Sequence, residues 1–246
     1  MIEGVLANGV GAVPLIIDGY IRFALDNADR LTRLFFEHVI ITLVALAVAL
    51  PIAITAGVGI NYYDRARTPV LWVASILLTI PAIAFFGLLV PMLGIGNPPT
   101  IAALVAYIQL PIIRNTYVGL TRASDAAIEA GAGLGMTRFE RLWRVRVPTA
   151  LPVVMAGVRN AVVLLVGLVA IGAFIGAGGL GHYIFYGITQ DDTAMIVVTT
   201  IILSLLALVF DYAFGVIEEA LRLRNGEGID PSIATRTLAG IHTRIQ

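Results

Sequence analysis

Residues 39–60 read VIITLVALAVALPIAITAGVGI and contain no charged side chain. A helix needs about 20 mostly apolar residues to cross the hydrocarbon of a bilayer, so this segment is expected to span a membrane. The rest of the chain agrees. Of 246 residues, 59% are hydrophobic and 13% charged, and the mean hydropathy of +0.92 is far above that of a soluble domain. Toward the C-terminus, no charged residue stands between Arg67 and Arg114, a stretch too long for one crossing. Gly94, Gly96, Asn97, Pro98 and Pro99 supply the turn that divides it into spans at residues 70–93 and 100–117. After a polar, arginine-rich interval, residues 148–175 and 194–221 make two more, each with one charge near its middle. Five spans are expected. Residues 5–23 are either a sixth span or, given Gly9, Gly11, Pro14 and Asp18, an amphipathic helix lying in the interface. Residues 1–34 lack the basic start and small-residue cleavage site of a signal peptide and are expected to be retained.

Acids and bases balance at 16 each and every base is arginine, so no net field points to nucleic acid. The distribution is uneven. With five spans, one side collects Arg65, Arg67, Arg114, Arg122, Arg138, Arg141, Arg144, Arg146, Arg222, Arg224, Arg236 and Arg244. The other holds Arg22, Arg30 and Arg33 among acids. Cytoplasmic loops keep the excess of Lys and Arg, which predicts a cytoplasmic C-terminus, an N-terminus outside, and outward-facing loops at residues 94–99 and 176–192. There is no cysteine, and His38, His182 and His242 lie far apart, so neither a disulfide nor a metal cluster is expected.

The polar interval, residues 121–147, is expected to form two short helices. Ser124 or Asp125 can cap the first; Thr137 and Glu140 have the spacing of a capping box for the second. Gly131, Gly133 and Gly135 permit a tight bend between them. On physical grounds this elbow is either a docking surface or an ordinary helical hairpin.

Glu129-Ala130-Gly131, then Gly135 after three residues, then Val145-Arg146-Val147-Pro148 after nine more, resembles the EAA signature of ABC-importer permeases, Glu-Ala-Ala, Gly and Ile-x-Leu-Pro at the same spacing. Gly131, Val145 and Val147 depart from it by small or apolar exchanges. The resemblance extends over residues 37–219 and narrows to permeases for glycine betaine, choline and related compatible solutes. It is carried by Ile80-Pro81-Ala82, residues 91–96 (PMLGIG), residues 111–117 (PIIRNTY) and residues 174–181 (FIGAGGLG) with Ile184 and Gly187. Methionine-importer permeases share part of the glycine-rich segment.

The resemblance implies an all-α membrane protein of the type I importer fold (MetI-like), with a permease domain at residues 35–222 and a cytoplasmic tail at 223–246. It implies an inner-membrane, multi-pass subunit of an ATP-driven importer serving osmoprotection, working with a second permease, two ABC ATPase subunits and an extracytoplasmic binding protein. The elbow would be the coupling helix that docks in the ATPase, with Glu129, Ala130, Gly131, Gly135 and Pro148 from the motif and Arg138, Arg141 and Arg144 as flanking contacts. ATP and magnesium would be held by the partner ATPase, with no cofactor on this chain; a permease for methionine or another small amine is the alternative.

Gly176, Gly178 and Gly181 spell G-x-G-x-x-G, which binds dinucleotides only between a strand and a helix; here an apolar helix precedes it, so a compact turn is expected. Gly172 and Gly176 have a spacing suited to helix packing. No P-loop can exist without lysine, so no nucleotide hydrolysis is expected here. Arg159 follows Pro148 by eleven residues and Asp211 precedes Arg222 by eleven, about 16 Å in each helix. Antiparallel spans would place them level, either as an ion pair or each meeting cavity water. Intramembrane charge carries function by default. Phe85, Phe86, Tyr107, Phe174, Tyr183, Phe185 and Tyr186 offer faces for a quaternary ammonium or fill the membrane core. A lone secondary transporter would show an internal repeat, and a membrane enzyme a convergent nucleophile and base; neither is evident.

Overall fold

The computed structural model describes residues 17–228 and 235, and among them all regular structure is helical. Residues 17–26 form α1; α2 (Ala28–Tyr62), α3 (Asp64–Thr79), α4 (Ala82–Leu93), α5 (Asn97–Tyr107), α6 (Gln109–Thr121), α7 (Asp125–Gly133), α8 (Arg138–Arg141), α9 (Val147–Gly172), α10 (Gly181–Gln190) and α11 (Thr193–Arg224) follow. Of the expected interfacial segment, residues 5–16 lie outside the described residues, as do Arg236, His242 and Arg244.

Four helical stretches are long and apolar enough to cross a membrane, Ala28–Tyr62, Asn97–Thr121, Arg138–Ile175 and Thr193–Arg224, and a fifth crossing exists if α3 and α4 together make one. The expected single span at 70–93 is therefore not one helix. Pro81 has no N–H and forces its predecessor out of the helical region; Ile80 is extended at ψ 130°, and α4 starts afresh at Ala82. Helix α2 begins ahead of the apolar run, at Ala28. Its 35 residues reach about 52 Å, well beyond the ~30 Å hydrocarbon core. Many large apolar side chains face outward, among them Trp72 at 68% and Met92 at 81% exposure, as a lipid solvent permits.

The helices divide into two units, with α2, α5, α9 and α11 contributing to both. In the first (residues up to Val44, Pro81–Ala103 and Val166–Leu206), His38 is fully buried and its Nε2 lies 3.0 Å from the Val166 carbonyl oxygen. Gly172 packs against Thr100, and a methyl at Gly181 would overlap the Ala170 carbonyl oxygen. Small residues let membrane helices approach closely, and Gly172 does so here. Gly176, by contrast, ends its helix in the left-handed region at φ 83°, so the compact turn is present and the element before it is helical.

In the second unit (Ala45–Ile80, Leu104–Leu165 and from Ala207 onward), the same device recurs three times. Gly57 receives Thr116, Gly119 receives Ala150, and Gly157 receives Asn115, drawing α2, α6 and α9 together over a core that includes Leu120, Leu142 and Ala150.

Candidate functional site: a capped elbow and a charged cleft

The polar interval folds by local rules. Ser124 is extended and its hydroxyl accepts from the Ala127 N–H at 3.2 Å, so Ser124, not Asp125, is the cap of α7. At the other end, Met136 N–H donates to the Gly131 carbonyl and Gly135 N–H to that of Ala132, a Schellman closure. That closure requires a left-handed residue at Gly135, which stands at φ 79°. The motif glycine is thus the residue that stops the helix. Thr137 then caps α8: its hydroxyl accepts from Glu140 N–H while Glu140 Oε2 accepts from Thr137 N–H at 2.9 Å. The Glu140 carboxyl is held below its ordinary range, first by that backbone hydrogen bond, then by the Thr137 hydroxyl.

Between the caps, the third motif position packs α7 on α8. Gly131 is buried, and a Cβ there would lie 3.4 Å from both Arg141 Cγ and Met136 Sδ, so alanine fits and larger side chains do not. Glu129 and Ala130 are exposed on α7, and Leu134 at its tip is 78% exposed.

The second helix of the elbow does not end before α9 begins. Leu142–Arg146 is a π-helical turn that runs straight into α9, correcting the expectation of two separate short helices. Pro148 explains it. Its ring would press on the Arg144 carbonyl and its nitrogen cannot donate; widening the preceding turn, with Val147 N–H donating to Leu142, relieves both, as π-bulges do. Arg144 approaches Glu140 only to 4.0 Å.

Farther along the same helix, Arg159 meets Asp211. Nε and Nη2 donate to Oδ1 and Oδ2, each at 2.6 Å, a bidentate charge-assisted pair. The two-fold expectation for these residues thus resolves to contact between α9 and α11. Glu218 stands 3.7 Å from Arg159 Nη1 and holds Arg222 at 2.6 Å. Gly215 makes room, since a Cβ there would come within 3.2 Å of the guanidinium. Together these line a cleft of about 360 Å³ with Tyr212 and Glu219. Sequence reasoning missed Gly215 and Glu218; the spacing Asp211, Gly215, Glu218, Arg222, one per turn on one helical face, is the signal that would have found them.

The aromatic candidates divide. Phe85, Phe86, Tyr107 and Tyr183 are buried, the Tyr107 hydroxyl donating to the Ile80 carbonyl at the break before Pro81. Phe174 and Tyr186 are exposed; Phe174 meets Phe185 edge-on at 5.8 Å and Tyr186 stacks on His182 at 6.2 Å. Tyr183 takes the Arg30 guanidinium over its ring at 5.3 Å.

A family model described as the binding-protein-dependent transport system inner membrane component matches residues 49–223. The chain is 43% identical over 197 residues to the osmoprotectant import permease protein OsmW of Salmonella typhimurium, covering 78% of this chain and 92% of that one. It is 35% identical to the choline transport system permease protein OpuBB of Bacillus subtilis, covering 82% and 93%. To the glycine betaine/carnitine/choline permease OpuCB of the same organism it is 33% identical, covering 84% and 95%. Among solved structures, an inward-facing MetNI methionine ABC transporter superposes with a TM-score of 0.70 at 23% identity, covering 78% of this chain and 95% of that one. An amino acid ABC transporter solved with histidines gives 0.64 at 15% identity, covering 79% and 95%.

Proposed function

The chain belongs to the family of inner membrane components of binding-protein-dependent transport systems, and from that premise we propose that it is the permease subunit of an ATP-driven importer for osmoprotectants of the glycine betaine, choline and carnitine type. The observation that carries this is the 43% identity to an osmoprotectant import permease across 92% of that protein. The methionine importer shares the fold at 23% identity, which says nothing of solute.

In this reading the subunit sits in the cytoplasmic (inner) membrane with its C-terminus inside. It pairs with a second permease, two ATPase subunits that hold ATP and magnesium, and an external binding protein. The chain itself performs no covalent chemistry. The elbow presents Glu129, Ala130 and the tip around Gly135 to the ATPase, with Arg138, Arg141 and Arg144 flanking. Because α8, the π turn and α9 follow one another without a break, displacement at Arg138 can be carried to Arg159, about 32 Å along the helix. The Arg159–Asp211 pair joins that helix to α11. Glu218 stands ready as an alternative acceptor, so a shift of the helix can pass the guanidinium from one carboxylate to the other and open or close the cleft. A hydrocarbon setting for these charges is costly, which supports a place on the water-filled pathway or against the second permease.

The test is ATP-dependent uptake of labelled glycine betaine by liposomes that hold the chain with its candidate ATPase and binding protein. Uptake abolished by Glu129→Arg supports the reading. Uptake that persists without the ATPase would sink it, and ATPase stimulation without betaine uptake would keep the importer and discard the solute.

A further inference from the structure

Between the elbow and the end of α2 lies a pocket that shares Arg138 and Arg141 with the proposed ATPase-facing surface and adds Arg146, to which the transport reading gives no role. It measures about 200 Å³ and is lined by Asn61, Tyr62, Ile128, Arg138, Arg141 and Arg146. Three arginines and no acid line it. Arg146 Nη1 donates to Asn61 Oδ1 at 2.6 Å, which aims the side chain at the end of α2. Among the described residues neither Arg138, Arg141 nor Arg146 is ion-paired. Such a concentration of unneutralised charge selects an anion, and the planar forks of arginine match phosphate oxygens in pairs. The space, about 200 Å³, admits a phosphate group.

The surroundings say which phosphate. On the neighbouring face of the same helix runs an apolar slot of about 490 Å³, lined by Val58 of α2, Leu120 of α6, and Leu142, Val147, Leu151 and Val154. On α2 the slot reaches Val58 and the pocket begins at Asn61, about 5 Å farther along the axis. Phe139 and Trp143 line the slot, pair edge-on at 6.1 Å and are more than half exposed; of the two, the amphipathic Trp favours the headgroup layer. A cationic pocket at the end of a spanning helix, adjoining an apolar slot, has the two-part chemistry of a phospholipid.

We infer that the chain binds one anionic phospholipid, with its phosphate among Arg138, Arg141 and Arg146 and an acyl chain in the slot between α2 and α9. The site needs only that the chain spans a membrane, so it stands or falls apart from the transported solute. It is tested on the purified full chain by native mass spectrometry in detergent, titrating phosphatidylglycerol, phosphatidylcholine or inorganic phosphate. Phosphatidylglycerol should be retained about tenfold more than phosphatidylcholine, whose trimethylammonium group would meet the three arginines with like charge. Arg146→Gln should remove that preference and Arg146→Lys should restore part of it, which a merely misfolded variant would not do. Val154→Trp, which fills the slot, should lower phosphatidylglycerol retention with the arginines intact. Equal retention of the two lipids, or an unchanged preference in Arg146→Gln, overturns the site. If Val154→Trp leaves retention unaltered while inorganic phosphate competes fully, the pocket takes free phosphate and no lipid. If the arginine variants lose only capture of the ATPase, the arginines serve a protein carboxylate; if Val154→Trp changes only association between copies, the slot belongs to a second permease. Either result also overturns it.

Discussion

At Gly135 the chain spends a left-handed residue to end α7, and open space surrounds the missing side chain. The penalty for Gly135→Ala is therefore conformational, about 1 kcal/mol. It should appear as roughly fivefold faster hydrogen exchange at the Met136 amide, with Gly135→Asn milder because asparagine tolerates that region. Equal exchange in all three would mean that the Schellman closure does not hold the elbow. Glu140 gives a pH signature. Its folded pKa is depressed below the ordinary 4.5 by the Thr137 backbone and hydroxyl. Its contribution is therefore complete above that value and is lost as the pH falls through the folded one. The Thr137 amide should lose protection in that acid window, and Glu140→Gln, which can still cap, should remove the pH dependence.

Helix packing sets the next scale. Gly131 lies where a methyl just fits against Arg141 and Met136, so Gly131→Ala should keep coupling and add up to ~1 kcal/mol of helix propensity. Gly131→Leu should separate α7 from α8 and uncouple ATP hydrolysis from uptake in the reconstituted complex. For α9 and α11, Asp211→Asn should lower transport and complex yield more than the double variant Arg159→Gln with Asp211→Asn, since the single change leaves the guanidinium only Glu218, 3.7 Å away and already holding Arg222. Additive losses in that cycle would mean the two side chains do not act as a pair. These elements were unequally legible. Residues three or four apart decide a cap, so Thr137–Glu140 could be read from the sequence. That α8 continues into α9 depended on how the backbone absorbs Pro148, which a motif spacing does not express.

For the whole molecule, the absence of cysteine makes single-cysteine labelling clean. With the proposed orientation, Leu134→Cys should react with an impermeant maleimide only from the cytoplasmic side and Ile95→Cys only from the outside; both side chains are exposed. Reaction of both from one side would overturn the topology. The sequence alone determined that the protein is helical and membrane-spanning, because an uncharged apolar run of sufficient length has one favourable solvent and must satisfy its backbone internally. It also determined the Thr137–Glu140 capping box, whose partners are near neighbours, while the cap of α7 stayed open between Ser124 and Asp125 until the structure gave Ser124. Tertiary structure alone decided that Glu218 and Arg222 join the Arg159–Asp211 pair, and that Asn61 aims Arg146, 85 positions away, into a pocket beside an apolar slot. The Asn61–Arg146 contact accompanies the close approach of α2, α6 and α9 at Gly57, Gly119 and Gly157, and Gly215 of α11 leaves room for the Arg159 guanidinium. That register is set by the packing of whole helices, which no local spacing records.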